Sequence, residues 1–329
     1  MKNTGKSLLC IAIASIVGIS TLHAQDTKTD ANALKGESDG MKSAVPDSLK
    51  HWHKGGTISI NAQEVSLTNW AAGGQGAISV GGLMSVYFNY HKDKWMWNTN
   101  VNLAYGIIKN GSSKDWLKTD DRIQLTSKVG RKAFKSAYYS ALFDFKTQFA
   151  PGYNYPNDST RISNFMAPGY FLLAAGLDWE VKPSALSFFI APATGRLTYV
   201  GENYLAREGA FGVQAQVVDP VTGAIITPYK NTLWQFGGYA KMMFQKDVMK
   251  NVNFATMVEV FSNYLKNPQN IYVNWTTLTS MKVNKFISAT FSTQLIYDPL
   301  VNYVGTDGIK HGPRVQFKQV LAVGFAYKF

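Results

Sequence analysis

Cysteine is nearly absent: the 329 residues hold one, Cys10. It lies within the apolar run 8–22, behind Lys2 and Lys6 and ahead of a cleavage-like Ala24, so residues 1–24 are expected to be a secretory signal peptide. Leu9 stands where a lipoprotein signal needs a small residue, which argues against lipidation of Cys10. The mature chain then has no cysteine, which excludes disulfides, thiol catalysis and thiolate metal sites. Charge is also sparse, at 16% of residues, against about 25% in ordinary soluble domains. Beyond residue 24 no stretch approaches the roughly 20 apolar residues of a spanning helix, which excludes a helical membrane protein. The formal charge of +12 falls to +10 once Lys2 and Lys6 are removed. An exported basic chain without an RNA-binding motif is not expected to bind nucleic acid. Its natural counterparts are anionic lipid head groups and lipopolysaccharide, with solvated turn lysines as the simpler account.

Aromatic residues, in contrast, reach 13% and recur with period 2, the mark of strands. Residues 25–54 are polar and almost free of β-branched residues, and are expected to be a flexible periplasmic leader. From residue 55 to 329 alternating segments follow one another. Trp95, Trp97, Val101, Leu103, Tyr105 and Ile107 oppose Asn98, Asn100, Asn102, Ala104 and Gly106. In the same way Tyr139, Phe143 and Phe145 oppose Asp144, Lys146 and Gln148. Trp234 and Phe236 oppose Lys241, Val258 and Val260 oppose Glu259, and Trp275 lies on a similar face. Strands are expected near 56–66, 76–90, 95–107, 118–131, 136–150, 168–181, 184–191, 232–245, 251–264, 270–283, 286–298 and from about 314 to the end.

The connections alternate strictly between short basic turns and longer loops, beginning and ending with a long one. Such asymmetry, with an even strand number, belongs to outer-membrane barrels. The expected fold is therefore an all-β, transmembrane antiparallel β-barrel of about 12 strands with both termini periplasmic, in the outer membrane of a Gram-negative cell. The apolar faces carry no charge, whereas Asp144, Lys146, Lys241 and Glu259 fall on the opposite face. A lipid-facing Lys or Arg near the bilayer centre costs roughly 2–4 kcal/mol. The aromatic face therefore belongs in lipid, with Trp95, Trp97, Tyr105, Trp234, Trp275 and Tyr327 as interface aromatics. The inner face carries Asn98, Asn100, Asn102, Asp144, Lys146, Gln148, Lys241 and Glu259. These residues either set selectivity in a pore or pair across the lumen and stiffen it, and pairing is the simpler expectation. The terminal run ending in Phe325, Tyr327 and Phe329 has the character of a signal to the barrel-assembly machinery.

No catalytic residue is expected. The mature histidines, His51, His53, His91 and His311, are assigned to the leader, a short turn and a long loop, away from any serine at mid-strand. This disfavours a lipid or lipopolysaccharide hydrolase. His51 and His53 flanking Trp52 are too few for a metal site, and neither metal nor cofactor is expected. The 192–231 connection is the longest and is expected to form an extra hairpin or to plug the lumen.

The pieces NWAAGG (69–74), WMWNTNVNLAYG (95–106), KTDD (118–121), DFKTQFAPGYNY (144–155), SNFMAPGY (163–170) and GAFGV (209–213) resemble the Bacteroidota outer-membrane proteins catalogued as domain of unknown function 3078. The resemblance implies an outer-membrane barrel over about residues 55–329 and brings no activity, substrate or active site with it. The expectation is thus a non-enzymatic barrel that is a structural or accessory component of an envelope complex, with periplasmic or lipoprotein partners of a secretion assembly. The alternative is a porin-like channel for small solutes.

Overall fold

The computed structural model describes residues 34, 51–65, 76–111, 115–153, 159–181, 186–284, 286–300, 303–304 and 310–329. The proposed signal peptide and most of the leader lie outside these residues, as does NWAAGG. Twelve strands form the wall: β1 (Trp52–Val65), β2 (Ala77–Lys92), β3 (Trp95–Asn110), β4 (Leu117–Phe134), β5 (Ala137–Thr147) and β6 (Gly169–Val181), then β7 (Leu186–Tyr199), β8 (Thr232–Met249), β9 (Val252–Asn263), β10 (Ile271–Lys282), β11 (Ile287–Tyr297) and β12 (Gln316–Lys328). Each pairs antiparallel with its neighbours in sequence, and β12 pairs back onto β1 to close the barrel. Closure removes both sheet edges. The closing seam is short, with five register pairs from Thr57↔Lys328 to Asn61↔Gly324, against sixteen between β2 and β3. One further reciprocal backbone pair, Gly56 with the terminal Phe329, extends the seam.

Local chemistry explains the tight ends. The turns between β2 and β3 and between β8 and β9 use Asp93 (φ 52°) and Asn251 (φ 64°), residue types that tolerate the left-handed region two-residue hairpins require. The short turns among the described residues lie at the end where β1 begins and β12 finishes, as the alternation of connections implies. No helix among the described residues is long and apolar enough to cross a membrane.

Period 2 sorts the side chains as expected. Outward positions on the strands are mostly apolar and exposed, with Leu173 at 62% and Trp234 at 69%. Outward-facing charges, such as Lys54, Lys92, Lys109, Arg131 and Lys246, fall near strand ends. Aromatics gather toward both rims. Trp52 lies 5.0 Å from Tyr90 and 6.0 Å from Trp97 at the short-turn rim, and Phe236 meets Tyr264 at 6.2 Å at the other. A charge-free band between two aromatic girdles is the exterior that lipid demands.

Two departures from the expected strands have local causes. β1 starts at Trp52, three residues before the expected start of the barrel, and so takes His53 into the wall. β7 continues to Tyr199 although Pro192 and Gly195 suggest a break at 191. Pro192 sits in a bulge: Ala193 and Ile190 pair with Ala175 and Leu177, and Thr194 and Ala191 pair with Gly237 and Tyr239. A proline without an N–H is tolerated where the ladder is already interrupted. Gly176 opposite it has no side chain, and a Cβ there would collide with the β7 backbone at Ile190 and Ala191.

Candidate functional site

Strand alternation directs Asn98, Asn100, Asn102, Asp144, Lys146, Lys241 and Glu259 inward, and the structure gathers several of them at mid-height in the lumen. Lys146 on β5 approaches Asp144 at 3.4 Å and Glu259 on β9 at 3.9 Å. β5 and β9 are four strands apart in a ring of twelve, so this contact crosses the lumen instead of running along the wall. Glu259 is fixed by further donors: Tyr239 Oη donates to Oε1 at 2.6 Å and Asn274 Nδ2 to Oε2 at 3.0 Å. Gln294 Nε2 in turn donates to Asn274 Oδ1 at 2.7 Å, carrying the chain to β11. On the other side Gln124 Nε2 and Thr126 Oγ1 donate to Asp144 Oδ1 at 2.7 and 2.6 Å. The network therefore links β4, β5, β8, β9, β10 and β11 through carboxylates whose acceptor sites are occupied, which is how buried charge becomes tolerable.

A second knot lies nearer the short turns. Lys128 on β4 pairs with Asp178 on β6 at 2.5 Å and reaches Glu180 at 4.0 Å. Sequence reasoning did not single out Lys128, Asp178 or Glu180. The signal was present, since Gln124, Thr126 and Lys128 alternate with Ile123, Leu125 and Ser127, but that strand is less regular than its neighbours. Above the network, Arg196 lies over the rings of Tyr272 at 5.0 Å and of Tyr170 and Phe261 at 5.7 Å, an aromatic cage across β6–β10.

Apolar packing accompanies these pairs. Leu142, Ala174, Phe189, Ala191, Tyr239 and Phe261, all inward-facing, form one buried cluster spanning β5–β9. Below it Met243, Ala255, Met257 and Leu278 enclose Leu34, which is 0% exposed. Leu34 belongs to the expected leader, and it is buried against the lumen wall.

Gln148 lies beyond the end of β5, at the long-loop rim. There it accepts from Lys118 Nζ at 3.0 Å and Ser163 Oγ at 2.9 Å. Asp121 holds the same corner by accepting from the backbone of Phe149 and Ala150. The long connection, now 200–231, is neither a bare loop nor only a hairpin. It carries a helix at Asn203–Arg207, a turn at Ala210–Gly212 and a small hairpin of Val217–Val218 with Ile225–Thr227. Val200, Leu205, Ala206 and Val213 form its own core with Ala167. Gly212 has φ 85°, and a Cβ there would stand 3.4 Å from both Leu233 of β8 and Leu300 of the last loop. The connection thus packs against the long-loop rim at β8 and the last loop. In its hairpin the backbone amides of Thr222 and Val221 hold the Asp219 carboxyl below the ordinary carboxylate range.

The expected interface aromatics all face outward. Trp95, Trp97 and Tyr327 lie toward the short-turn rim, and Tyr105, Trp234 and Trp275 toward the other. Trp97 Nε1 donates to Ser127 Oγ at 2.9 Å and Trp275 Nε1 to Thr256 Oγ1 at 3.0 Å, which satisfies their polar edges. Phe325 and Phe329 are likewise exposed. His53 and His91 lie within the strands and not in the leader and turn assigned to them, and the side chain of His311 is outside the described residues.

The protein is thus a closed β-barrel with an apolar exterior and a polar, internally cross-linked lumen. Within it residues 62–153, from β1 through β5 and into the next loop, match the model of a family described as Protein of unknown function (DUF3078). The pieces of the resemblance beyond Tyr153 lie outside that match. No curated protein matches the chain. Among solved structures it is similar to an outer membrane channel from Pseudomonas putida F1, with 11% identity, 87% of this chain and 97% of that one covered, and a TM-score of 0.41. It is also similar to the translocator domain of the autotransporter NalP from Neisseria meningitidis, with 12% identity, 92% and 98% covered, and a TM-score of 0.35.

Proposed function

We propose that this chain is a non-enzymatic outer-membrane barrel, held shut at mid-lumen, that serves as a structural or accessory component of an envelope complex. The observation that carries this reading is the Lys146–Glu259 contact across the lumen, backed by the Tyr239–Asn274–Gln294 chain. A pore that passes solutes needs binding weak enough to release them, whereas these charges satisfy one another. Burial of Leu34 beneath the network supports the same reading. Export by residues 1–24 would leave the leader and both chain termini of the barrel in the periplasm. There the basic short-turn rim, with Lys92 and Lys132 near strand ends and Lys94 and Lys135 in the turns, offers a docking surface to partners such as the soluble or lipid-anchored proteins of a secretion machine. Barrel-assembly machinery reading the terminal Phe325–Phe329 stretch would insert it. The test is planar-bilayer conductance of the purified mature chain beside a gentle-detergent pull-down. Silence with stoichiometric envelope proteins is expected.

A second reading, a narrow channel, is favoured by the inner faces of β11, β12 and β1. Ser288, Thr290, Ser292, Ala322, Gly324 and Ser59 line them and are only half-buried. Steady open steps from a barrel that purifies alone would support it and overturn the first.

A further inference from the structure

A dent interrupts the outer face near the short-turn end, between β3 and β7. It is an almost wholly apolar groove of about 700 Å³, lined by residues that include Trp95, Val129, Tyr139, Trp179 and Pro192. Its floor is a row of small outward residues, Ala141 and Ala175, which are register partners, continued in register by Ala193. Larger rows flank that floor: Tyr139 with Leu177 on one side, Phe143 with Leu173 on the other. The bulge at Pro192 and the missing side chain of Gly176 let β7 lie close to β6 here and shape the groove wall.

The polar end of the groove is cationic. Arg131 lines it and stands 5.7 Å over the Trp95 ring. Lys94 and Lys135 follow in the adjoining turns, and none of these three cations makes an ion pair among the described residues. An apolar slot running along the wall and ending under unpaired positive charge, at the level of the aromatic girdle, is complementary to an anionic amphiphile.

We propose that this groove seats one acyl chain of an anionic glycerophospholipid, with its phosphate held at Arg131. The proposal rests on the membrane reading above and adds a specific ligand to it. Native mass spectrometry of the full mature chain in detergent, titrated with phosphatidylglycerol or phosphatidylcholine of identical acyl chains, tests it. Wild type should retain one phosphatidylglycerol in preference to phosphatidylcholine by about fivefold, the factor roughly one cation contributes at an anionic head group. Arg131→Gln should bring that ratio to about one. Ala175→Trp, which fills the floor from outside, should lower retention of both lipids. Equal retention of the two lipids by wild type, or unchanged retention by Ala175→Trp, would overturn the proposal. Heat-modifiable gel mobility in each sample shows that the barrel is folded. Its absence in wild type would sink the membrane reading itself, whereas its presence with no lipid selectivity sinks only the groove.

Discussion

Across the lumen, β7–β9 present Phe189, Met243, Met257 and Phe261, each less than a twentieth exposed. β11, β12 and β1 present Ser288, Thr290, Ser292, Ala322, Gly324 and Ser59, each only half-buried. One wall is filled with large side chains and cross-lumen pairs, and the other carries small side chains that keep part of their surface exposed. The thin wall also contains the closing seam, with five register pairs. Stiffness and space are therefore largely separated around the ring: apart from Gln294 on β11, the groups that close the lumen lie on the side away from the seam. The cooperative core of a barrel is set by such packing, and the least-packed elements open first.

The contrast is most severely tested at Glu259. Removing one partner of a buried ion pair costs about 3–5 kcal/mol. Glu259→Leu should fall at the lower end of that range, because Asp144 still faces Lys146 at 3.4 Å. Thr290→Leu, on the thin wall, should change stability by less than about 0.5 kcal/mol. Urea unfolding in lipid vesicles, followed by tryptophan fluorescence, measures both. Equal losses would mean that the two walls are not mechanically different.

Overpacking gives the next effect in size. Ala191 is 1% exposed and packs with Phe189 and Tyr239, so Ala191→Phe has no room and should cost about 1–3 kcal/mol. The same change at Ala322, which keeps part of its surface exposed, should cost much less in the same unfolding assay. A destabilising Ala322→Phe would show that the thin wall is already full.

The strands were legible because alternation is local: Trp95 to Ile107 and Tyr139 to Phe145 declare their two faces without reference to any other segment. Even so, β7 looked shorter than it is. Pro192 is a breaker in isolation and becomes acceptable only at a bulge that depends on Gly176 and the neighbouring ladders. The inward direction of Asp144, Lys146 and Glu259 was equally readable, but their meeting was not. Lys146 and Glu259 are joined by barrel radius and strand tilt, quantities no single segment encodes. Lys128 with Asp178 was missed for the same reason, compounded by the irregular β4, whose Thr119 falls at a register shift. Leu34 carries no periodic signal at all, since one apolar residue in a polar stretch acquires meaning only from the wall that buries it.

The gentlest probe introduces cysteines into a chain whose one native cysteine, Cys10, has been replaced, and reads water where the two walls differ. Ser292→Cys and Ala322→Cys should be alkylated readily by a small, charged, membrane-impermeant maleimide, because both positions face the lumen and keep part of their surface. Met257→Cys, 3% exposed beside Leu34, and Ala174→Cys, 1% exposed beneath Phe189, should label only after unfolding. Serine and alanine on the thin wall differ from cysteine by little volume, so those two variants should retain wild-type stability within about 0.5 kcal/mol. Any difference in their labelling therefore reports access and not damage. If Ser292→Cys and Met257→Cys react at the same rate, either water reaches both walls and the network is not a closure, or neither wall is wet. The absolute rate against the unfolded chain separates these outcomes: fast labelling at both would favour the channel, and protection at both would mean that the space along β11 and β12 is itself filled in the membrane.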